Sequence, residues 1–535
     1  MLTKPNVIVI LVDDMGFADL GITGSEIRTP NIDQLSANGA LLTSMYNCAR
    51  CCPTRASLLT GLYPHNAGIG HMGANLGTPA YQGFLRNDSA TIAEVLRESG
   101  YRTLMSGKWH VGGDFDAREV DNWQVGDLDH PTPMQRGFDH FYGIIDGATH
   151  FFSPHFVLED DNRVEDFSDD YYFTDAITDK AIGMIEGAVE DEMPFFLYLA
   201  HTAPHWPLHA HPEDIARYDG IYTGGWDATR TARHEEMNSK GLFQTTWNIS
   251  PRDDQVHPWA EEKFRHWESQ KMATYAAMVD RMDQSIGVLV QSLKRLNQFD
   301  DSLILFLSDN GGCAEFMAED GWAKFYPNTT QDGRKITMGN RPDVMPGSPL
   351  SFQSYDKPWA NVSNAPFRLF KHFVHEGGIS TPLVAHWPNG IDKGQTFHEA
   401  SHVVDILPTV LEITGSSALT ELGGHAIQPS DGESLLGLFQ GKSWQREQPI
   451  FWEHEGNCAI RQGQFKLVKQ YGQNWELYDM ETDRTELNNL AGKNKLFEKI
   501  MLTEFNHWAD SIGVMPWDDA LPRLLAAWEL KSEDG

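Results

Sequence analysis

Hydrophobic positions along the chain follow two alternating patterns. Short continuous apolar runs occur at 6–12 (NVIVILV), 194–200 (PFFLYLA), 302–307 (SLILFL) and 382–385. Runs of this length, rich in β-branched and aromatic residues, read as strands buried on both faces. Between them the apolar spacing switches to three and four. In 264–297 the residues Tyr275, Met278, Val279, Met282, Ile286, Leu289, Val290 and Leu293 make one stripe of a long helix. Segment 91–99 reads as a capped helix closed by Gly100 and followed by a short strand at 101–105. Segments 173–189 and 401–414 read as further helices. Strands alternating with helices predict an α/β core, a large and mostly parallel sheet sandwiched by helices.

After about residue 425 the pattern changes. Segments 449–456, 458–470 and 475–481 are short and alternate, which predicts a small antiparallel sheet, closed by a helix near 494–508. The expected organisation is therefore a catalytic α/β domain at 1–425 and a smaller C-terminal α+β subdomain at 426–535. Segments 208–262 and 314–361 are polar, rich in Gly, Pro and Trp, and weakly periodic. They read as long irregular loops of the kind that bind ligands.

Composition narrows the partners. With 42 Lys and Arg against 75 Asp and Glu, the 535-residue chain carries a formal charge of -33. Such a surface repels phosphate backbones and anionic membranes, which argues against nucleic acid as a partner. No apolar run approaches the roughly 18 residues of a membrane span. Three of the five cysteines crowd into 48–52, which is no disulfide framework. The N-terminus lacks the apolar core of a signal peptide, so the chain as written reads as cytoplasmic, or as periplasmic or secreted if a leader was trimmed. Oligomeric state is not legible in these patterns.

Candidate chemistry starts at strand ends. Asp13 and Asp14 follow the first strand, and Asp309 and Asn310 stand in the same relation to 302–307. Open α/β sheets place ligands at the carboxyl ends of their strands. Either pair alone is also an ordinary cap or turn. Together they offer four hard oxygen ligands, suited to Ca²⁺ or Mg²⁺ rather than zinc. Cys51 precedes Pro53 and Arg55 at the start of a helix that Gly61 ends. A cysteine there meets backbone N–H groups that favour an anion, with Arg55 one turn on. Read singly, Cys51 is a buried cysteine, His110 a core histidine, Lys108 and Lys371 solvated cations and His205 part of a turn.

The segment Cys51-Cys52-Pro53-Thr54-Arg55-Ala56-Ser57-Leu58-Leu59-Thr60-Gly61 resembles the signature of the type I sulfatases, members of the alkaline phosphatase superfamily. Further stretches are similar to that family's motifs and occur in its order. They are 6–16 (NVIVILVDDMG), Gly107-Lys108-Trp109-His110, 137–143 (GFDHFYG), Ala203-Pro204-His205-Trp206-Pro207, 308–312 (SDNGG), and Lys371 ahead of Glu376-Gly377-Gly378. The tail around 475–479 resembles the family's C-terminal subdomain, and 65–72 (HNAGIGHM) is similar to the bacterial arylsulfatase branch.

The resemblance implies a sulfuric ester hydrolase of arylsulfatase type. Its nucleophile would be a formylglycine made from Cys51 by a separate maturating enzyme. Its ion would be Ca²⁺, with Mg²⁺ the second choice, held by Asp13, Asp14, Asp309, Asn310 and the modified Cys51. An aldehyde hydrate provides a built-in release step, because one hydroxyl can be sulfated while the other expels sulfate. Asp309 would accept the nucleophile's proton and Arg55 would hold the hydrate. Lys108, Lys371 and His205 would bind sulfate oxygens, supplying the local cations that an acidic surface makes necessary. His205 or Lys371 would protonate the leaving oxygen, and His110 would take a proton during sulfate release. Trp206 and His150, with Phe151, Phe152 and His155, are candidates for touching an aryl or sugar group. The alternatives are a phosphonate monoester or phosphodiester hydrolase on the same scaffold, or a sulfatase specific for a sulfated carbohydrate.

Overall fold

A computed structural model describes residues 4–114 and 126–533. Its centre is an 11-stranded mixed sheet. Five strands lie parallel and side by side in the order Ser302–Ser308, Asn6–Val12, Phe195–Ala200, Arg102–Lys108 and His140–Ile144. All are buried on both faces apart from Arg102 and His140, as their apolar runs require. Beyond Ser302–Ser308 the strand Ser380–His386 runs antiparallel, and Ala40–Tyr46 runs antiparallel to it in turn. Two cores flank the sheet. One packs Phe173–Glu190 and the 31-residue helix Arg265–Arg295 on one face, and the other packs Cys51–Thr60 and Ile92–Glu98 on the opposite face.

The C-terminal sheet has four antiparallel strands, Ile450–His454, Asn457–Gln462, Phe465–Lys469 and Glu476–Asp479. The helix Lys495–Ile512 closes it through Met501 and Phe505. A further helix, Trp517–Glu533, has no counterpart in the sequence reading. It lays Ala520 and Leu524 on Leu76 and Tyr81. Buried charges join the two sheets: Glu376 accepts from Lys466 Nζ at 2.9 Å, Arg484 Nε at 3.0 Å and Tyr46 Oη at 3.0 Å.

Two expectations need correction. Segment 208–262 is not a long irregular loop, because it contains the helices Pro212–Ala216 and Gly225–Ser239. The buried stripe of the second is Trp226, Arg230, Arg233 and Met237. Its arginines are bonded inside the protein, Arg233 to Asp19 and Glu26 at 2.7 Å each and Arg230 to Asn361 O at 3.0 Å, so a polarity scan hides the period. The helix expected at 401–414 begins at Ile406. Ser401–His402 joins the sheet, and His402 and Asp405 form a capping box that delays the helix start.

Candidate active site

Strand direction alone brings the candidate residues to one edge. The parallel strands end in Asp13 and Asp14, in His201 to His205, in Lys108 to His110, and in Asp309 and Asn310. Ala40–Tyr46 points the same way and leads into the helix Cys51–Thr60. Ser380–His386 runs oppositely, so Lys371 on its upstream side reaches the same edge. Register places Val12 opposite Ser308, which makes Asp13 and Asp309 neighbours, and Asp309 N–H donates to Val12 O at 3.0 Å.

Backbone strain concentrates here. Asp14 (φ 65°), Ala49 (φ 64°), His110 (φ 57°) and His372 (φ 89°) are non-glycine residues in left-handed conformations. Each costs on the order of 1–3 kcal/mol, and such costs gather where the surroundings fix a functional geometry. Gly311 is required for a different reason. A Cβ there would lie 1.9 Å from Gly377 O, so the two glycine pairs let the Asp309 loop and the Lys371 loop approach.

The side chains form one buried charge cluster. Lys108 Nζ lies 2.6 Å from Asp13 Oδ2, and Lys371 Nζ lies 2.8 Å from Asp14 Oδ1. His205 Nε2 is 3.4 Å from Asp14 Oδ2. Arg55 Nη2 reaches Asp309 Oδ2 at 2.7 Å and Asp13 Oδ2 at 3.4 Å, while its Nη1 donates to Lys108 O at 3.0 Å. Asn310 Nδ2 donates to Asp14 Oδ1 at 2.7 Å. Arg55, Lys108, Asp13, Asp309 and Asn310 are fully buried, so the carboxylates and cations must answer one another.

Burial would raise Asp13, but Lys108, His205 and Arg55 outweigh it and hold the carboxyl down at about 2. Burial and the neighbouring Asp13 push Asp309 well up, against Arg55. Hydrogen bonding from Cys52 draws the Cys51 thiol well below its ordinary range, helped by Lys108, His110 and Lys371. Cys51 in turn raises Asp13 and Asp309, and its helix reaches Asp309 through Arg55. Burial, then Lys108, depresses His110 and keeps its ring neutral.

The donor set fits a hard divalent cation. Asp13, Asp14, Asp309 and Asn310 present oxygens only, and Asp13 Oδ1 and Asn310 Oδ1 are buried with no hydrogen-bond partner among the described residues.

Around this centre the structure adds residues absent from the sequence reading. Arg50 pairs with Glu315 at 3.0 Å, and Glu315 also accepts from Trp206 Nε1 at 2.8 Å. Burial works against Glu315, yet Lys371, Arg50 and His205 hold it at about 2. Arg50 directly precedes Cys51, a position that could have flagged it, whereas nothing around Glu315 in a polar segment marks it. Trp206 stacks its edge on Tyr326 at 5.5 Å. A cleft lined by His150, His155, Tyr326, Thr330 and Phe352 opens beyond that ring. His150 is less free than expected, since its Nε2 pairs with Pro349 O at 2.8 Å and burial lowers it to about 4. Phe151 is buried against Tyr172 and takes no part in the cleft.

Comparison with known proteins gives matches over nearly the whole chain. The sulfatase family model matches residues 5–416, and the model for the C-terminal region of N-sulphoglucosamine sulphohydrolase matches 367–506. An uncharacterized sulfatase of Schizosaccharomyces pombe is 32% identical over 94% of this chain and 93% of its own. The arylsulfatase of Klebsiella aerogenes is 32% identical over 82% of this chain and 93% of its own. Among solved structures, Ps i-CgsB in complex with k-i-k-neocarrahexaose superposes with a TM-score of 0.67 at 27% identity, covering 95% of this chain and 93% of that one.

Proposed function

This chain belongs to the sulfatase family and is a sulfuric ester hydrolase, and we propose that it cleaves sulfate monoesters with a formylglycine made from Cys51 beside a Ca²⁺ ion. One observation carries the reading. A helix-start cysteine, four hard oxygen donors from two adjacent strand ends, and three cations share one buried cluster.

Asp13, Asp14, Asp309 and Asn310 would hold the ion, which supplies Lewis-acid stabilisation of developing negative charge. The aldehyde at position 51 supplies, as its hydrate, one hydroxyl for attack at sulfur and a second for release. The remaining work falls to this chain's own side chains. Arg55 orients position 51 against Asp309, to which its guanidinium is already bonded. Lys108 and His205 from two strand ends, and Lys371 from the loop ahead of Ser380–His386, converge and would neutralise the sulfuryl oxygens. His205 Nε2 faces the same edge and suits protonation of the leaving oxygen. The neutral ring of His110, in reach of Cys51, suits acceptance of the proton at release.

A sugar ester is the favoured substrate class over a simple aryl ester. Trp206, beside His205, packs on Tyr326, and Tyr326 lines a cleft with His150, His155 and Thr330 that mixes aromatic faces with polar groups. Ps i-CgsB, the 27% identical neighbour, was solved with a carrahexaose. Rates measured side by side on an aryl sulfate, a panel of sugar sulfates and an aryl phosphonate monoester test both levels. Faster turnover of the phosphonate would replace the sulfatase reading with the phosphonate hydrolase one. Faster turnover of the aryl sulfate than of every sugar sulfate would remove the saccharide preference.

A further inference from the structure

A second polar cluster lies outside the catalytic centre, where the C-terminal sheet meets the catalytic edge. The strand Ile450–His454 turns through Glu455 (φ 50°) into Asn457–Gln462, and the turn points back to the catalytic domain. Glu455 Oε1 lies 2.7 Å from His71 Nε2, and Oε2 lies 2.9 Å from His372 Nδ1. His454 stacks on His71 with ring centroids 5.5 Å apart and meets His372 edge-on at 5.7 Å. Ligating atoms of His71, His454 and Glu455 all lie within 4.8 Å of one another.

His454 makes this more than an ion pair. Its side chain is 1% exposed, and neither ring nitrogen has a hydrogen-bond partner among the described residues. Its nearest polar contact is Glu455 Oε1, 3.6 Å from Nε2. A buried imidazole left so has the lost hydration of its ring nitrogens uncompensated. Burial keeps this ring neutral, the state in which histidine ligates a metal. Burial works against ionised Glu455, yet His372 and His71, one on each oxygen, hold its carboxyl well below the usual carboxylate range.

We infer that His71, His454 and Glu455, joined by His372, form a structural site for a zinc-like divalent ion that clips the C-terminal sheet to the catalytic edge. Imidazole nitrogens with one carboxylate are the donors of Zn²⁺, whereas the catalytic set is oxygen-only and suits Ca²⁺. With bonds of about 2.1 Å, tetrahedral ligands sit about 3.4 Å apart, close to the present spacing of atoms within 4.8 Å of one another.

The position gives the ion something to hold. Met72, next to His71, lies with its Sδ 3.8 Å from Cys52 Sγ. His372, next to Lys371, donates its backbone N–H to Ala49 O at 2.8 Å. The clip therefore braces both the start of the Cys51–Thr60 helix and the loop carrying Lys371.

The test uses the full chain with Ca²⁺ kept saturating and reads metal and stability rather than turnover, so it is independent of the sulfatase chemistry. Purified protein is assayed for zinc, stripped with a zinc-selective pyridyl chelator, and titrated with Zn²⁺ and with Co²⁺ as a visible probe. The site predicts about one tightly held equivalent, a tetrahedral Co²⁺ absorption band, and a Tm that falls on stripping and returns with Zn²⁺. His454→Asn and Glu455→Gln should lose that equivalent and the chelator effect. Wild-type protein that takes up no Zn²⁺ or Co²⁺ overturns the proposal, whether or not the variants fold. So does uptake unchanged in both variants, which would place the ion elsewhere, for example at Cys51, Cys52 and His110.

Discussion

The guanidinium of Arg55 lies 2.7 Å from Asp309 Oδ2, joining the helix that begins at Cys51 to the strand end that begins the oxygen cluster. Because both side chains are fully buried, this pair fixes where position 51 stands relative to the carboxylates. Arg55→Ala should therefore destabilise the fold by about 3–5 kcal/mol, the usual cost of leaving a buried charge unpaired. Arg55→Lys should not restore activity, since one ammonium cannot bridge Asp309, Asp13 and Lys108 O together. Thermal melts and kcat/KM on the same preparations check both statements.

Hard-ion dependence is a second expectation. Removing Ca²⁺ with a calcium chelator should abolish turnover, and Ca²⁺ should restore it better than Mg²⁺, because the set offers several flexible carboxylate oxygens. Asp13→Asn and Asp14→Asn should each raise the Ca²⁺ concentration needed for half-maximal activity. A metal titration of initial rates reads this directly.

Replacing Lys108 or Lys371 by Ala should lower kcat/KM by roughly 10²–10³, the range for losing one preorganised charge at a transition state. Glu315→Gln acts differently, because Glu315 touches Arg50 and Trp206 and not the oxygen cluster. It should raise KM for sugar esters more than it lowers kcat. Steady-state kinetics with a small aryl ester and a sugar ester separate the two patterns.

The tie between the sheets sets an acid limit. Burial disfavours ionised Glu376, but Lys466, Arg484 and Arg461 outweigh it and hold the carboxyl near 2, below its ordinary 4.5. A carboxyl lowered in the folded state stabilises fully above pH 4.5, and that contribution fades as pH falls towards 2. The difference corresponds to about 3 kcal/mol. Glu376→Gln should thus be less stable than wild type at pH 6, with the gap narrowing steadily below pH 4.5. Paired urea titrations across that range measure it.

Much of this was legible before any coordinates. Asp13 and Asp309 were readable because each follows an unbroken apolar strand, and parallel pairing of those strands makes them neighbours. Cys51 and Arg55 were readable from Pro53 and Gly61, which bound their helix, with Gly61 at φ 67° as its cap. Lys371 needed the resemblance, because nothing in its local sequence says that an antiparallel strand carries it to the same edge. Glu315 and the buried arginine stripe of Gly225–Ser239 were hidden for one shared reason. A paired buried charge looks like surface to any scan that scores residues singly.

Turnover hinges on the chemistry of position 51. The most direct measurement is the mass of the peptide containing Cys51, taken from enzyme whose turnover of a sulfate ester has just been recorded and checked with an aldehyde-reactive hydrazide. Active preparations should carry formylglycine, with activity rising in proportion to the converted fraction. Full turnover by protein in which every molecule retains an unmodified Cys51 thiol would contradict it.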